Sequence, residues 1–239
     1  MRTAIITGAA GAIGKGVAEE LRRQGVNVFV TDLHAGDFAA DVTDEAQVKA
    51  CVEAALKALG GRMDILVNVA GIVGQGLVEN ITVAEWDKIF AVNCRGTFLF
   101  CKHVVPVMKK QRYGKIVNFS SKSGKTGSAL MSHYSAAKAA IIGFTQALAY
   151  ELADYNINVN CVCPGITENT GVWSQVSAGY VQNLGKSREE VVKQFTSKIP
   201  LKRLATVADV VAVTTFLCSD AAAYMTGQAI NITGGREMH

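Results

Sequence analysis

The sequence predicts an α/β fold in which a seven-stranded parallel sheet carries helices on both faces. Short β-branched runs alternate with longer segments of helical period, which is the pattern of crossover connections on a parallel sheet. Each of these runs is short, and most are predicted to be strands buried on both faces. The chain has 239 residues, a length that commonly forms one domain, so we expect residues 1–239 to fold as a single domain.

Seven short segments are predicted to be the strands. They are residues 3–7, 26–31, 38–41, 63–68, 115–120, 157–162 and 229–232. Residues 44–60 form the clearest helix, because an apolar stripe recurs there at helical spacing and Asp44 and Gln47 have the spacing of a capping box. Residues 164–200 lack strand character and are numerous enough to form a mobile flap over a substrate site.

Composition and charge exclude several classes of function. The formal net charge of +4 comes from basic residues spread along the chain, which does not indicate a nucleic-acid or membrane surface. No uncharged apolar stretch reaches the roughly 18 residues that span a bilayer. Polar and small residues interrupt the apolar run at the N-terminus, which argues against a signal peptide. We therefore expect a cytoplasmic protein with no nucleic-acid or membrane partner.

The cysteines indicate neither a disulfide framework nor a metal site. All six lie within apolar segments: Cys51, Cys94, Cys101, Cys161, Cys163 and Cys218. Cys161 and Cys163 would share one face of a strand, but no second pair of ligands completes a zinc site. The sequence predicts reduced cysteines in the core and no bound metal.

The glycine-rich turn TGAAGAIG, residues 7–14, connects the first predicted strand to a helix. At such a turn, backbone amides and the helix dipole bind the pyrophosphate of a dinucleotide. A Walker loop is the competing interpretation, but it requires a glycine at position 9 and a serine or threonine at position 16, where the chain has Ala9 and Gly16. The turn therefore favours a Rossmann-type, doubly wound fold over a kinase or an ATPase.

Asp32 follows the second predicted strand, about 20 residues after the glycine turn. Its carboxylate is placed to accept hydrogen bonds from the hydroxyls of an adenosine ribose. A 2′-phosphate at about 4 Å from it would meet a like charge, at a cost of about 4 kcal/mol before screening. The sequence therefore predicts NAD as the cofactor rather than NADP.

Tyr134 and Lys138 lie four residues apart in the stretch SHYSAAKAA, residues 132–140. On a helix these two positions share a face, so the phenol and the ammonium can point into one space. A pair at this spacing is usually a surface feature. Beside a fixed cation, however, a phenol is a candidate proton carrier.

Six motifs, in order, resemble the short-chain dehydrogenase/reductase family over almost the whole chain. They are T-G-x-x-x-G-x-G at 7–14, N-x-A-G at 68–71, an asparagine in AVNCRG, a serine in FSSKSG, Y-x-x-x-K at 134–138 and P-G at 164–165, and a C-terminal TGQAINITGG follows them. Two positions depart from the family pattern. Ala12 replaces a glycine and adds only a methyl group, and Val69 replaces an asparagine that has no catalytic role.

The resemblance implies a catalytic tetrad of Asn93, Ser121, Tyr134 and Lys138. Tyr134 would be the general acid/base, with its phenolate favoured by the charges of Lys138 and of the oxidised nicotinamide. Ser121 would hydrogen-bond the substrate oxygen. Asn93 would hold a water beside Lys138 for a proton relay, and Lys138 would also hold the nicotinamide ribose.

The resemblance also implies which residues contact the cofactor. They are Gly8, Gly11, Ile13, Gly14, Asp32, Asp41, Val42, Asn68, Ala70, Gly71, Tyr134, Lys138, Pro164, Gly165 and Thr167. Asp41 and Val42 would border the adenine, and Pro164 and Gly165 would pack near the nicotinamide. Thr170 is the alternative to Thr167.

The implied reaction is the interconversion of a secondary alcohol and a ketone. Within the family, the segments SSKSGK, YSAAK and IPLKR look most like those of sugar-alcohol dehydrogenases that act on sorbitol or sorbitol 6-phosphate. If Lys122 or Lys125, close to Ser121, faces the pocket, it would bind a substrate phosphate. The alternatives are 3-ketoacyl, diketone or steroid substrates, or a catalytically silent NAD-binding module.

Assembly is the last implication of the resemblance, because the family is commonly tetrameric. The predicted helices at 96–111 and 136–152 carry enough apolar residues for one stripe to face the sheet and another a partner helix. We therefore expect a homotetramer.

Overall fold

The computed structural model describes residues 1–185 and 187–239 and confirms the predicted seven-stranded parallel sheet. The strands are β1 (Thr3–Thr7), β2 (Asn27–Asp32), β3 (Phe38–Ala39), β4 (Ile65–Asn68), β5 (Gly114–Phe119), β6 (Ile157–Pro164) and β7 (Ala229–Ile232). Their order is β3-β2-β1-β4-β5-β6-β7, and each neighbouring pair is parallel. The chain starts in the interior of the sheet and winds outward in two directions, as in doubly wound folds.

Helices connect these strands. They are α1 (Ala12–Arg23), α2 (Glu45–Ala58), α3 (Val83–Phe90), α4 (Gly96–Gln111), α5 (Lys122–Thr126), α6 (Ser132–Leu152), α7 (Gly171–Leu184), α8 (Arg188–Thr196) and α9 (Val207–Leu217). A π-helical turn, Ala91–Arg95, joins α3 to α4, and short 3₁₀ turns occupy Val78–Asn80, Ala153–Tyr155 and Asp220–Ala222.

Two layers of helices enclose the sheet, as the sequence predicts. On one face, α2, α4 and α6 pack on a core that includes Ile5 of β1 and Ile116 of β5. On the other face, α1 and α9 pack on a core that includes Ile6 and Val117. Because successive strand residues point to opposite faces, burial of both faces explains why apolar residues stand at consecutive positions, as at 4–6 in β1 and 65–67 in β4. The carboxyl ends of the strands meet at one edge, where such folds bind ligands.

The predicted helix at 44–60 is α2, and its capping is only partly as expected. Asp44 caps the helix by accepting hydrogen bonds from the amides of Ala46 (2.9 Å) and Gln47 (3.1 Å). The Gln47 side chain does not return to the Asp44 amide. Its nitrogen donates to the Asp44 carboxylate (3.0 Å), and its oxygen accepts from the amide of Asp41 (3.0 Å). The cap therefore also fixes the loop that follows β3.

The segment expected to form a flap, residues 164–200, folds largely into α7 and α8; residue 186 lies outside the described residues. Thr170 caps α7 by accepting from the Trp173 amide (3.1 Å), and Ser187 and Glu190 form a capping box at α8. The buried residues of this segment join a cluster that contains no strand residue. The mobility of the flap remains a prediction.

Candidate active site

Tyr134 and Lys138 lie one turn apart on α6 and point toward the same space. The Lys138 Nζ atom is 5.7 Å from the centre of the Tyr134 ring and donates to the carbonyl of Phe119 at the end of β5 (2.8 Å). Tyr134 is 8% exposed and Lys138 is 5% exposed. The pair is therefore not a surface feature, because a buried lysine is rare unless its charge has a partner or a use.

The π-helical turn between α3 and α4 brings Asn93 to the same place. Its Nδ2 atom donates to the carbonyls of Ile72 and Ile89, both at 2.9 Å. Its Oδ1 atom is buried and has no hydrogen-bond partner among the described residues. Gly71 leaves the space open, since a Cβ there would lie 2.7 Å from Asn93 Oδ1 and 3.3 Å from Lys138 Nζ. Such turns often occur at functional sites, and the unpaired oxygen fits a water held beside Lys138.

Ser121 follows the end of β5 and lies next to this pair. Its hydroxyl caps the short helix α5 by accepting a hydrogen bond from the Ser123 amide (3.1 Å). The neighbouring Ser120 donates to the carbonyl of Lys138 (2.7 Å), which ties this turn to α6. A structural role and a catalytic role for Ser121 are therefore compatible, because the cap fixes the hydroxyl near Tyr134.

Burial sets the protonation of the pair. It raises the pKa of Tyr134 to about 12, and the Ser121 side chain opposes that shift. Burial also lowers the pKa of Lys138 to about 8. In the protein alone, the effect of burial on the Tyr134 pKa outweighs that of the Ser121 side chain. A phenolate at neutral pH therefore requires a further positive charge, which an oxidised nicotinamide carries when it is bound.

The glycine turn has the shape that a dinucleotide pyrophosphate requires. Gly8 has a φ of +66°, and a Cβ there would lie 2.6 Å from the Ala70 amide nitrogen. A Cβ on Gly14 would overlap the Gly8 carbonyl oxygen. Gly11 precedes α1, whose first turn has no side-chain cap and no acidic residue, while Ile13 packs into the core. The first amides of α1 thus remain available to an anion.

Asp32 lies at the end of β2, directly beside this turn. Its Oδ2 atom accepts from the amide of Ala10 (2.9 Å), and its Oδ1 atom accepts from the amide of Leu33 (2.7 Å). The side chain is therefore oriented at the edge of the sheet next to the amides of the turn. This position fits recognition of an adenosine ribose.

The two residues expected near an adenine lie in the loop after β3. The Asp41 carboxylate accepts from the amide of Thr43 (2.8 Å), so it shapes the loop. Val42 packs partly against the core on the α2 side of the sheet and against Gly96 of α4. Both residues lie on the β2 side of the glycine turn, where the adenosine half of a dinucleotide is expected.

Asn68 and Ala70 follow β4, in the centre of the sheet. Asn68 is 2% exposed, and its Nδ2 atom donates to Asn118 Oδ1 (2.9 Å), whose own amide donates to Thr145 on α6 (3.0 Å). This chain of hydrogen bonds gives Asn68 a structural role in aligning β4, β5 and α6. The Ala70 amide donates to Thr7 Oγ1 (3.1 Å) and fixes the start of the loop.

The turn after β6 distinguishes the two candidate threonines. The Gly165 amide donates to the Ile232 carbonyl of β7 (2.9 Å), which fixes the turn that Pro164 begins. Thr167 Oγ1 donates to the Gly165 carbonyl (3.3 Å). Thr170 Oγ1 donates to the Thr167 carbonyl (2.9 Å) and caps α7. Its hydroxyl is thus already used by the helix, which favours Thr167 as the threonine near the cofactor.

The sequence did not predict the walls around Tyr134. The phenol belongs to an apolar cluster with Val73, Met131, Trp173 and Val176, which come from the loop after β4, the start of α6 and α7. No motif marks these residues, because they meet only through the fold. They form an apolar wall beside Tyr134.

The two lysines considered for phosphate binding do not converge on Tyr134. Lys122 Nζ lies 3.8 Å from the Glu237 carboxylate and donates to the Gly127 carbonyl (3.2 Å). Lys125 lines a cavity of about 670 Å³ against β7 and the C-terminal residues, and Tyr134 is not part of its lining. Lys122 therefore already has a carboxylate partner, which it shares with Arg236, and Lys125 faces a different space.

In residues 1–185 and 187–239, no group of three or more histidine, cysteine or acidic side chains is placed to hold a metal ion. Within the same residues, no helix has the length and apolarity to cross a membrane. All six cysteines are unpaired by disulfides, and most are buried.

The chain is similar to known oxidoreductases over nearly its whole length. A family model described as enoyl-(acyl carrier protein) reductase matches residues 8–237. The chain is 37% identical to a putative ketoacyl reductase of the monensin polyketide synthase from Streptomyces virginiae (98% of this chain, 96% of the relative). It is 35% identical to galactitol 2-dehydrogenase of Agrobacterium fabrum (99% and 98%). The crystal structure of sorbitol-6-phosphate 2-dehydrogenase from Erwinia amylovora matches with a TM-score of 0.93 and 35% identity (99% of this chain, 100% of that chain).

Proposed function

Because the chain belongs to the short-chain dehydrogenase/reductase family, whose members act on alcohol and ketone groups, we propose that it is an NAD(H)-dependent enzyme that interconverts a polyol and its ketose. The observation that carries the proposal is the buried Tyr134–Lys138 pair, with Ser121 and Asn93 beside it. This arrangement is of no evident use to a silent binding module, because burying a lysine beside a phenol costs stability.

Each member of the tetrad has one task. In the oxidative direction, the Tyr134 oxygen takes the proton of the substrate hydroxyl, and Ser121 donates a hydrogen bond to the same oxygen. Lys138 holds a positive charge 5.7 Å from the phenol ring, and the unpaired Asn93 oxygen holds a water that carries the proton away. In reduction, the proton passes in the opposite direction. The nicotinamide, when bound, accepts or returns the hydride.

Asp32 supports NAD as the cofactor over NADP. Its carboxylate lies beside the amides of the glycine turn, where a ribose 2′-phosphate would meet a like charge. The uncapped first turn of α1 would hold the pyrophosphate, and Asp41 and Val42 would border the adenine. On the nicotinamide side, Pro164, Gly165 and Thr167 would line the cofactor.

A neutral polyol fits the chain better than a phosphorylated one. Lys122 is already paired with the Glu237 carboxylate, and Lys125 lies in the wall of the separate cavity. A substrate phosphate beside Tyr134 would therefore lack the cation that the sequence suggested for it. Among the relatives named above, galactitol 2-dehydrogenase supports a neutral polyol, sorbitol-6-phosphate 2-dehydrogenase a phosphorylated one, and the ketoacyl reductase the alternative class.

A substrate panel tests this proposal. We expect NADH-dependent reduction of fructose with a kcat/KM at least equal to that for fructose 6-phosphate. A preference for the phosphate above about tenfold, lost in a Lys122→Ala, Lys125→Ala double variant, would instead assign a sugar phosphate. If no ketose is reduced and no polyol is oxidised, the same assay with diketone, 3-ketoacyl and steroid substrates decides among the alternative classes.

The pH dependence of ketone reduction follows from Lys138. Its lowered pKa means that the charged form is present below about pH 8 and is lost above it. We expect kcat/KM for reduction to be steady near neutral pH and to fall as the pH rises through about 8. Arginine stays charged, so the fall in kcat/KM should be absent in Lys138→Arg. If the turnover of this variant is too low to measure, its affinity for NADH is measured instead and should stay constant as the pH rises through about 8. A fall at the same pH in that variant would assign the titration to another group.

The assembly is proposed to be a cytoplasmic homotetramer. Phe98 on α4 is 45% exposed and packs edge-on against Phe144 of α6, and Tyr150 of α6 is 88% exposed. These aromatic residues give the two helices an apolar outer surface, which supports association with a second copy.

A further inference from the structure

The C-terminal segment 233–237, here called the strap, is fixed to the body of the protein. The Glu237 amide donates to Thr233 Oγ1 (3.2 Å), and this hydroxyl donates to the Glu237 carbonyl (3.1 Å). Asn231 Nδ2 donates to the same carbonyl (3.2 Å), and the Leu201 amide donates to the Gly234 carbonyl (3.1 Å). The strap is therefore ordered, and its two charged side chains have defined positions.

On one side, the strap contacts the helix that Ser121 caps. Glu237 Oε1 lies 3.8 Å from Lys122 Nζ and 3.4 Å from Arg236 Nε. The side chains of Glu237 and Lys122 are only 8% and 13% exposed, so solvent screens this pair much less than a surface ion pair. Because Lys122 directly follows Ser121, this ion pair connects the strap to the turn that carries the candidate catalytic serine.

On the other side, the strap contacts the flap. The Arg236 guanidinium lies 5.5 Å from the centre of the Phe195 ring on α8. Phe195 packs edge-on against Trp173 (6.2 Å between ring centres) and at a tilt against Tyr180 (5.1 Å), both of α7. Trp173 is in the apolar cluster that contains Tyr134. A series of contacts thus connects Lys122, through Glu237 and Arg236 of the strap, to α7 and α8 of the flap.

We propose that Arg236 and Glu237 form a latch that holds the α7–α8 flap closed and, through Lys122, keeps Ser121 in position. Both are positioning residues, since neither touches Tyr134 or Lys138 in the contacts described above. The inference rests on the proposed function only for the role of Ser121, because closure of the flap can be measured without substrate.

Loss of the Glu237 charge should open the latch. Glu237→Gln leaves Lys122 and Arg236 as neighbouring, partly buried cations without their shared anion, and their repulsion favours separation of the strap from α5. Arg236 then loses its fixed position on Phe195, and the flap has one contact fewer with the body. We expect Trp173, which is 4% exposed, to become accessible to solvent.

Acrylamide quenching of Trp173 measures this directly in cofactor-free protein. The chain has two tryptophans, so a Trp86→Phe background leaves Trp173 as the reporter. Glu237→Gln should raise the quenching constant at least about twofold, and the charge-exchange pair Lys122→Glu, Glu237→Lys should return it toward the starting value. Glu53→Gln, which removes a surface partner of Lys49 at 3.9 Å, is the control for loss of one acidic charge and should have no effect.

Kinetics provide the second readout. With the best substrate found, Glu237→Gln should raise KM about three- to tenfold and lower kcat less, while the Kd for NADH is unchanged. If Glu237→Gln does not fold, Arg236→Gln tests the contact with Phe195 by the same quenching experiment. Unchanged quenching in a folded variant overturns the latch whatever the activity. Increased quenching that charge exchange reverses supports the latch even if every polyol fails as a substrate.

Discussion

Replacing Tyr134 by phenylalanine is expected to lower kcat by about 10² to 10⁴ while NADH binding stays nearly unchanged. The variant removes one oxygen from a side chain that is 8% exposed, so it deletes the proton carrier and keeps the packing with Trp173 and Met131. Lys138 keeps its hydrogen bond to the Phe119 carbonyl, so the cofactor side of the site is not disturbed.

Steady-state kinetics and NADH fluorescence titration measure the two effects separately. Tyr113→Phe is the matched control, because it removes a phenol that hydrogen-bonds Asp220 (2.8 Å) near the amino end of β5, away from the site. Its turnover should equal that of the wild type. If Tyr134→Phe retains more than about a tenth of wild-type turnover, Tyr134 is not the acid/base.

Replacing Asp32 by alanine is expected to change cofactor preference. The variant loses the carboxylate that accepts from Ala10, so binding of NAD should weaken, and the repulsion of a 2′-phosphate should disappear. That repulsion is about 4 kcal/mol at about 4 Å and an effective dielectric near 20, and solvent screening reduces it at this half-exposed site. We expect the ratio of kcat/KM for NADP to that for NAD to rise at least about tenfold.

The comparison requires kcat/KM for both cofactors in the wild type and in two variants. Asp154→Ala removes an exposed carboxylate in the turn after α6, near the amino end of β6, and serves as the control for charge. Its cofactor preference should match that of the wild type. Wild-type efficiency that is higher with NADP than with NAD would contradict the assignment of Asp32.

The sheet could be predicted because both of its faces are buried. Burial on two faces gives strands such as β1 and β4 consecutive apolar residues, at positions 4–6 and 65–67, and the glycine turn and Asp32 mark the strand ends at the binding edge. Tyr134 and Lys138 could be paired because their spacing places them on one face of α6. These are local properties of the sequence, and they depend little on contacts between distant segments.

Other features depend on contacts between distant segments, which no local pattern contains. The sequence AVNCR does not predict the π-helical turn that places Asn93. The apolar residues of α7 and α8 pack in the cluster that contains Tyr134 rather than against the sheet. The raised pKa of Tyr134 comes from its burial. The ion pair between Lys122 and Glu237 could not be predicted, because the two residues are 115 positions apart in the chain and meet only in the fold.

Transfer of deuterium from NADH labelled at the reactive carbon tests the central proposal most directly. A pooled panel of ketoses, ketose phosphates, diketones and 3-ketoacyl thioesters would be incubated with the labelled cofactor and analysed by mass spectrometry. We predict an alcohol that carries deuterium on its carbinol carbon, most abundantly from an unphosphorylated ketose, and its loss in Tyr134→Phe. Binding of NADH with no labelled alcohol from any compound would contradict the proposal and indicate a catalytically silent NAD-binding module.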